Sequence, residues 1–402
     1  MEKIKISSLY KIFGSDPKKA IRMIEAGEDK ESVLEKTGMT VGVNNADFVI
    51  EEGEIFVVMG LSGSGKSTLV RMLNRLIEPS AGQVHINEKE ITKMDRDELV
   101  QFRLKHMSMV FQSFALMPHQ TVLENAAFGL ELAGESKAKQ TERAMEALSQ
   151  VGLEGWEDQY PAQLSGGMQQ RVGLARGLAV DPDIMLMDEA FSALDPLIRT
   201  EMQDELLKLQ EDHSRTIVFI SHDLDEALRI GDRIAIMEGG RVVQVGTPED
   251  ILQNPADDYV RAFFRGVDPT TVISAGEIVN TNYPTIVKTK RGGIRATLEL
   301  LNQKDYNHCY VLNSSHQFLG TVNIDSLSRA VDSGISGEPI DTCFLPGVKA
   351  AHVDDNMQDI LAEVASRSWP VPVVDDNNVY KGVVSKNRFL RTLHKSDQNG
   401  NE

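Results

Sequence analysis

The chain has 402 residues, with 42 Lys and Arg against 60 Asp and Glu and a formal net charge of −18. This length predicts two or three domains rather than a single core. The acidic excess lies in residues 1–279, since residues 280–402 carry 13 Lys and Arg against 14 Asp and Glu. Neither part has the positive surplus that selects the phosphate backbone, so we expect no nucleic-acid partner.

Apolar and cysteine content narrow the class of protein further. No stretch approaches the ~20 apolar residues of a membrane helix, and no apolar run follows the first residues, so we expect neither a membrane span nor a secretory signal. The two cysteines, Cys309 and Cys343, fit no metal-binding spacing. These observations together predict a soluble cytosolic protein.

The first elements in chain order are a strand within residues 1–14 and helical structure over 15–40. Asp16-Pro17 is a helix start signal, and Gly27 and Gly38 are stop signals. This helical segment separates two strands that would otherwise pair, so we interpret it as an insertion.

Strands and helices are predicted to alternate from residue 41 to about 260, as in an α/β fold. Strands at 55–59, 184–187 and 216–221 are uniformly apolar, which suits a sheet covered on both faces. Helices are predicted at 95–105, 136–151 and 200–211.

Residues 60–67 read Gly-Leu-Ser-Gly-Ser-Gly-Lys-Ser, the phosphate-binding pattern G-x-x-x-x-G-K-S, between an apolar strand and a helix. Glycines let successive N–H groups point at phosphates, and the helix N-terminus adds partial positive charge. Lys66 can reach the outer phosphates, and Ser67 can offer a hydroxyl to Mg²⁺. A glycine-rich turn with a stray lysine is the alternative. The candidate ATP-binding residues of this loop are Gly60, Ser62, Gly63, Ser64, Gly65, Lys66, Ser67 and Thr68.

Further chemistry-bearing residues follow in order. Gln112 comes after an apolar strand, Leu164–Gly167 opens a helix, Asp188 and Glu189 end an apolar strand, and His222 ends another. Taken singly, these would be a surface glutamine, a helix cap, strand-end charges and a structural histidine. In this order they resemble the ATP-binding-cassette (ABC) ATPases over residues 1 to about 265.

The resemblance implies a fold class and residue roles. The fold would be an α/β P-loop ATPase domain with a mixed-sheet core, and residues 95–180 would hold a helical subdomain and the signature. Glu189 would be the general base, His222 would contact the γ-phosphate beside Lys66, and Ser67, Gln112 and Asp188 would hold Mg²⁺. Phe13 would stack on adenine, with Tyr10 as the alternative.

The signature implies a dimer. Ser165, Gly166, Gly167 and Gln169 would contact ATP held by a second copy, so two cassettes would sandwich two ATP molecules. Met168 stands where the family usually has glutamine. We expect this departure to be tolerated, because backbone groups and Ser165 contact the phosphate.

Longer stretches at 110–119, 187–199 and 259–268 resemble the ATP-binding subunit of bacterial quaternary-amine importers. The resemblance implies uptake of glycine betaine and proline betaine, and two copies of a membrane permease subunit. It also implies a periplasmic, lipid-anchored or fused substrate-binding protein and a peripheral position on the cytoplasmic face of the cell membrane. The apolar segment 114–118 would line a groove for a helix of the permease, or would be a buried loop.

Three other functions stay open. The first is import of another solute, such as methionine or polar amino acids. The second is a soluble non-transport ABC ATPase, which single-cassette length and negative charge disfavour. The third is a ligand sensor with a degenerate cassette, against which the intact Lys66, Asp188, Glu189 and His222 argue.

The final part of the chain contains a repeat. After a Gly- and Pro-rich break at 266–295, predicted to be a linker, residues 311–322 align without gaps on residues 373–384. Each copy is predicted to be a hairpin followed by a helix, at 325–330 and 386–392, within repeats at 296–335 and 336–395. A polar tail would follow at 396–402.

These repeats resemble a tandem cystathionine-β-synthase (CBS) module. Ser326 and Arg388 stand where that family frequently has an acidic residue that grips ribose, which argues against ordinary adenosine binding. A regulatory module responding to ionic strength or a cyclic dinucleotide, and a dimerisation module without a ligand, both stay open.

Overall fold

The computed structural model describes residues 1–112, 115–192, 194–264, 268–288 and 293–398. The chain divides into two compact units, Met1–Phe263 and a second that begins at Phe264. Among the described helices, none is both long enough and apolar enough to cross a bilayer.

The first unit contains ten strands and eleven α-helices within its described residues. The elements in the first part of the unit are β1 Glu2–Phe13, α1 Pro17–Glu25, α2 Lys30–Thr37, β2 Thr40–Glu51, β3 Ile55–Met59, α3 Lys66–Leu73, β4 Ala81–Ile86, β5 Lys89–Glu90, α4 Arg96–His106 and β6 Met107–Phe111. Those that follow are α5 Val122–Leu132, α6 Lys137–Gln150, α7 Gly166–Ala179, β7 Ile184–Asp188, α8 Pro196–His213, β8 Thr216–Ser221, α9 Leu224–Ile230, β9 Arg233–Glu238, β10 Arg241–Gly246, α10 Pro248–Gln253 and α11 Asp258–Phe263.

One sheet is antiparallel, with strand order β2-β1-β4-β5. Strands β1 and β2 pair across the predicted insertion, with Ile12 opposite Val41. The insertion folds as two helices, since α1 ends before Gly27 and Asp29 caps α2. Ala20 and Val33 bury their side chains against the two strands. The two strands therefore pair as predicted, and the segment between them is helical.

The other sheet of this unit has six strands in the order β10-β9-β3-β8-β7-β6. All neighbours are parallel except the pair β9 and β10. Strands β3, β7 and β8 are buried at every residue, as the uniformly apolar sequences predicted. The rings of Phe48 and Phe56 stack 5.2 Å apart, so one core joins the two sheets.

Helices α5, α6 and α7 pack on one another and form the helical part predicted for residues 95–180. The predicted helices at 95–105, 136–151 and 200–211 are confirmed as α4, α6 and α8. Because parallel strands end at a common edge, the segments after β3, β6, β7 and β8 lie at one side of the sheet. The phosphate loop, Gln112, Glu189 and His222 follow these four strands.

The second unit contains two copies of one β-α-β-β-α arrangement. Its elements are β11 Thr285–Val287, α12 Ile294–Lys304, β12 His308–Leu312, β13 Phe318–Asn323, α13 Ile324–Asp332, β14 Ala351–His352, α14 Met357–Ser366, β15 Val371–Val374, β16 Tyr380–Val384 and α15 Lys386–Gln398. The sheets β11-β12-β13 and β14-β15-β16 have the same pattern, a parallel pair followed by an antiparallel pair.

Strand register supports the repeat found in the sequence. Val311 pairs with Gly320 in the first copy, and Val373 pairs with Gly382 in the second, at the aligned positions. The ring of Tyr310 stacks on that of Tyr380 with centroids 5.6 Å apart, which joins the copies within the unit. The predicted hairpin-and-helix units are thus present in both copies.

The predicted linker at 266–295 differs from the structure. Ser274 and Asn280 form bridges with Asn356 and Val383, and β11 pairs with β12. Glycine and proline mark turns in this segment, but backbone pairing with the repeats makes it part of the second unit. Helix α15 also continues through 396–398 of the predicted tail, while 399–402 lie outside the described residues.

Candidate active site

The phosphate-binding loop connects β3 to α3 and is held by close backbone approaches. A side-chain carbon at Gly65, whose φ is +101°, would lie 2.3 Å from the carbonyl oxygen of Gly42. One at Gly60 would lie 2.3 Å from the carbonyl oxygen of Met237. These positions accept only glycine, which is the physical reason for the pattern. The buried hydroxyl of Ser64 has no hydrogen-bond partner among the described residues, so the loop offers a free polar group.

Lys66 lies inside this loop with 5% of its surface exposed. Its Nζ donates hydrogen bonds to the carbonyl oxygens of Gly60 and Leu61, at 2.7 and 3.1 Å. Burial lowers the pKa of Lys66 from its ordinary value, while the charges of Glu189 and Asp188 act in the opposite direction. Burial deprives the ammonium of water, and a bound phosphate would supply a negative charge that stabilises its protonated form.

Asp188 ends β7 and binds two side chains of α3. Ser67 Oγ donates a hydrogen bond of 2.8 Å to Asp188 Oδ1, and Arg71 donates to Oδ2. Asp188 is 4% exposed, so its charge is compensated by these contacts. Sequence reasoning missed Arg71; its position one helical turn after Ser67 was the available signal.

Glu189 follows Asp188 and adopts φ +49°, in the left-handed region that residues other than glycine rarely occupy. Such strain is found at functional sites, where surrounding structure holds it. Gln112 Nε2 donates to Glu189 Oε2 at 3.2 Å and also contacts the hydroxyl of Ser192. His222 Nδ1 lies 3.7 Å from the same carboxylate oxygen. The predicted base, glutamine and histidine therefore meet at one point.

Hard oxygen ligands are available for the expected Mg²⁺. The Ser67 hydroxyl and the Asp188 carboxylate are adjacent, and the Gln112 side chain reaches Glu189 beside them. This donor set fits Mg²⁺, which prefers carboxylate, hydroxyl and carbonyl oxygens.

The signature residues begin α7 at a separate place. Ser165 is the N-cap and its hydroxyl accepts a hydrogen bond from the backbone of Met168, while Gly166 is the first helical residue. A side-chain carbon at Gly167 would lie 2.7 Å from the side chain of Ile198. Gln169 Nε2 donates to two backbone carbonyls of the preceding loop, so it supports the loop instead of pointing to a ligand within this chain.

The two aromatic candidates for adenine differ in exposure. Phe13 is 43% exposed, and a side-chain carbon at Gly42 would lie 2.7 Å from its ring and 3.3 Å from the methyl group of Thr68 in the first turn of α3. Tyr10 is only 8% exposed. Lys11 Nζ lies 5.1 Å from the centroid of the Phe13 ring, yet this ring keeps far more exposed surface than that of Tyr10. Stacking needs an accessible ring, so the geometry favours Phe13.

The loop after Gln112 is held to α5. Asn125 is fully buried, and its amide bonds the backbone of Met117, Gln120 and Thr121. Leu116 and Met117 are half-buried, whereas Phe114, part of the predicted apolar groove, lies outside the described residues.

The second unit places Ser326 and Arg388 at the starts of α13 and α15. The Ser326 hydroxyl and the Asn323 backbone exchange hydrogen bonds in a helix cap. That hydroxyl is therefore occupied locally, and neither residue supplies the acidic group discussed above.

Comparison with known proteins gives relatives along the whole chain. The ABC transporter family model matches residues 43–192. The chain is 56% identical over 398 residues to the glycine betaine/proline betaine transport system ATP-binding protein ProV of Escherichia coli (strain K12), covering 99% of each. It is 49% identical to the glycine betaine transport ATP-binding protein OpuAA of Bacillus subtilis (strain 168), covering 97% of this chain and 92% of OpuAA.

A solved structure resembles the cassette portion. A dimeric, post-hydrolysis ATP-binding cassette bound to ADP and Pi is 33% identical, with a TM-score of 0.52. The match covers 61% of this chain and 98% of the solved one. The likeness thus extends over nearly all of that cassette and leaves part of this chain beyond it.

Proposed function

This chain belongs to the ABC transporter family of ATP-binding proteins, and we propose that it is the energy-coupling ATPase of an importer for glycine betaine, proline betaine and related quaternary amines. One observation carries the catalytic part of the proposal. Glu189, Gln112 and His222 meet at the edge of the sheet where Ser67 and Asp188 join the phosphate loop. The names of the relatives support the choice of solute.

ATP hydrolysis requires charge neutralisation and an oriented water. Lys66 and the N-terminus of α3 neutralise phosphate charge. Ser67, Asp188 and Gln112 are the groups to hold Mg²⁺, which when bound offsets charge on the phosphate oxygens. Glu189 accepts a proton from the attacking water, and His222 donates a hydrogen bond to the terminal phosphate.

Two copies of the chain complete two sites in this proposal. Ser165 and the N-terminus of α7 suit an anion, yet among the described residues no hydrogen bond joins this helix start to the phosphate loop of its own chain. A second copy supplies the phosphate. The dimeric cassette among the solved relatives supports this arrangement.

Transport requires a membrane partner, because no described helix is suited to crossing a bilayer. We place the chain at the cytoplasmic face of the cell membrane with two permease subunits and a periplasmic, lipid-anchored or fused substrate-binding protein. The half-buried Leu116 and Met117, close to Gln112 in the chain, are the proposed permease contact.

The second unit is proposed to be a tandem CBS module that regulates the cassette or stabilises its dimer. The matching topology and register of its two sheets support this assignment. Removing the whole second unit, residues 264–402, and measuring transport against osmolality tests regulation. Unchanged activation by osmolality would leave the module without that role.

Copurification from membranes tests the proposed function directly. Mass spectrometry of proteins that accompany the full chain is expected to identify a permease and a quaternary-amine-binding protein. ATP-dependent uptake of glycine betaine by the reconstituted complex is the second expected result. Copurification of a methionine-binding protein would mean that the imported solute is methionine and not a quaternary amine. Copurification of no membrane protein would contradict the proposal that the chain serves an importer.

A further inference from the structure

A cavity lies outside the nucleotide site. It has a volume of about 990 Å³ and opens between the connection of α1 to α2, strand β2 and the turn joining β9 to β10. Its lining includes Glu28, Asn44 and Gly239 but none of the phosphate-loop, Gln112, Asp188, Glu189 or His222 positions. The cavity exists because the insertion folds over the sheet, so it is a feature that the ATPase chemistry does not use.

The lining of this cavity is acidic. Two cationic side chains, Lys30 and Arg241, face six carboxylates there. The carboxylates belong to Glu25, Glu28, Asp29, Glu31, Asp47 and Glu238. Lys36 pairs with Glu28 and Lys30 with Glu31, but Glu25 and Glu238 form no ion pair within the part of the chain that the structure describes. The cavity thus has a surplus of negative charge.

Tyr10 provides a second and independent feature. It lines the cavity with only 8% of its surface exposed, and its hydroxyl has no hydrogen-bond partner among the described residues. Burial raises the pKa of Tyr10, and the charges of Glu25 and Asp47 act in the same direction. The hydroxyl is therefore protonated and close to carboxylates, and its oxygen can accept a hydrogen bond from an occupant.

The distribution of charge decides the kind of occupant. No three His, Cys, Asp or Glu side chains of the described chain are grouped closely enough to hold a metal ion. The carboxylates are instead spread around a volume much larger than one ion. A linear cation with several separated ammonium groups matches this spacing, since each ammonium carries a positive charge and two or three N–H donors.

We propose that this cavity binds a linear organic polycation of the polyamine class. Its ammonium groups pair with Glu25 and Glu238 and donate to the Tyr10 hydroxyl oxygen. Two hydrogen bonds connect the cavity to the phosphate loop: Asn44 N donates to Gly240 O at 2.8 Å, and Gly240 N donates to Ser64 O at 3.0 Å. The occupant therefore contacts the segment that supports the phosphate loop.

Isothermal titration calorimetry of the full chain with spermidine, at constant ionic strength set by KCl, tests the proposal. One spermidine per chain is expected. The Glu25→Gln/Glu238→Gln variant is expected to bind about tenfold more weakly, which corresponds to two lost charge contacts near the surface. Tyr10→Phe, which removes only the hydroxyl, is expected to weaken binding about threefold.

A matched control has the same loss of charge elsewhere. Glu131 and Glu142 are exposed on α5 and α6, so Glu131→Gln/Glu142→Gln is expected to bind spermidine as the parent chain does. Thermal unfolding by circular dichroism checks that all variants fold. Equal weakening in both double variants would mean binding by bulk charge and would overturn the proposed site. Absence of spermidine binding to the parent chain would overturn it as well.

Discussion

Arg71 and Asp188 are 117 residues apart in the chain, and the guanidinium donates two hydrogen bonds, of 3.2 and 2.9 Å, to one carboxylate oxygen. The other oxygen accepts from Ser67. One carboxylate at the end of β7 is therefore tied to two successive turns of α3. This contact sets the orientation of the group proposed to support Mg²⁺.

Replacing Arg71 with Met is expected to lower ATP turnover about tenfold and to raise the Mg²⁺ concentration needed for half-maximal activity. The reason is that Asp188 loses the partner that orients it, while Ser67 keeps its bond. Steady-state ATPase assays over a Mg²⁺ titration measure both effects. Arg96→Met, an exposed change at the start of α4, is the control. An unchanged Mg²⁺ dependence in Arg71→Met would argue against a positioning role.

Replacing Glu189 with Gln is expected to reduce ATP hydrolysis by at least about 100-fold, because an amide cannot accept the proton of water. ATP binding and dimer formation are expected to persist, since the phosphate loop is intact. Phosphate release and analytical ultracentrifugation with ATP measure the two properties. Turnover close to that of the parent chain would remove Glu189 from the role of base.

Replacing Lys66 with Ala is expected to weaken ATP binding and hydrolysis together. The buried ammonium is held by the Gly60 and Leu61 carbonyls and faces the position of the phosphates. Fluorescent-nucleotide titration gives the affinity, and thermal unfolding without nucleotide separates misfolding from loss of binding. Normal affinity in a folded variant would contradict the assignment.

Phe13 and Tyr10 are expected to respond differently to substitution. Phe13→Ala should weaken ATP binding about tenfold, since base stacking on an exposed aromatic ring is lost. Tyr10→Phe should leave ATP affinity unchanged, because Tyr10 is buried. The same nucleotide titration compares the two variants. A larger loss in Tyr10→Phe than in Phe13→Ala would reverse the assignment.

Glu226 makes stability depend on pH. It is 7% exposed and accepts hydrogen bonds from Gln203 and Ser221, yet burial raises its pKa above the ordinary glutamate value. A raised pKa favours the folded state at low pH, and this contribution is lost as pH rises through the folded-state pKa. Glu226→Gln is therefore expected to raise the melting temperature by roughly 2 °C at pH 8 and by less at pH 5.

Circular dichroism melting curves at the two pH values check this expectation. The exposed Glu142→Gln is the matched control, since it removes one carboxylate without changing a buried group. The quantity compared is the gain in melting temperature of Glu226→Gln over the parent chain. A smaller gain at pH 8 than at pH 5 would contradict the expected sign.

Local signals were sufficient for many elements. The phosphate loop, the buried strands and the repeat could be predicted because glycine pattern, apolar runs and alignment are properties of short segments. The 266–295 segment was misjudged for the same reason: its Gly and Pro residues mark turns, but Asn280 pairs with Val383, far along the chain. Such pairing leaves no local signal.

By itself, the sequence determined which chemical groups are present and the order in which they follow the strands, because strand ends and glycine loops are set locally. Only the tertiary structure decided that Arg71 orients Asp188, that Phe13 rather than Tyr10 has an exposed ring, and that Tyr10 faces an acidic cavity. Exposure and contact depend on how distant segments pack together, and no single segment contains that information.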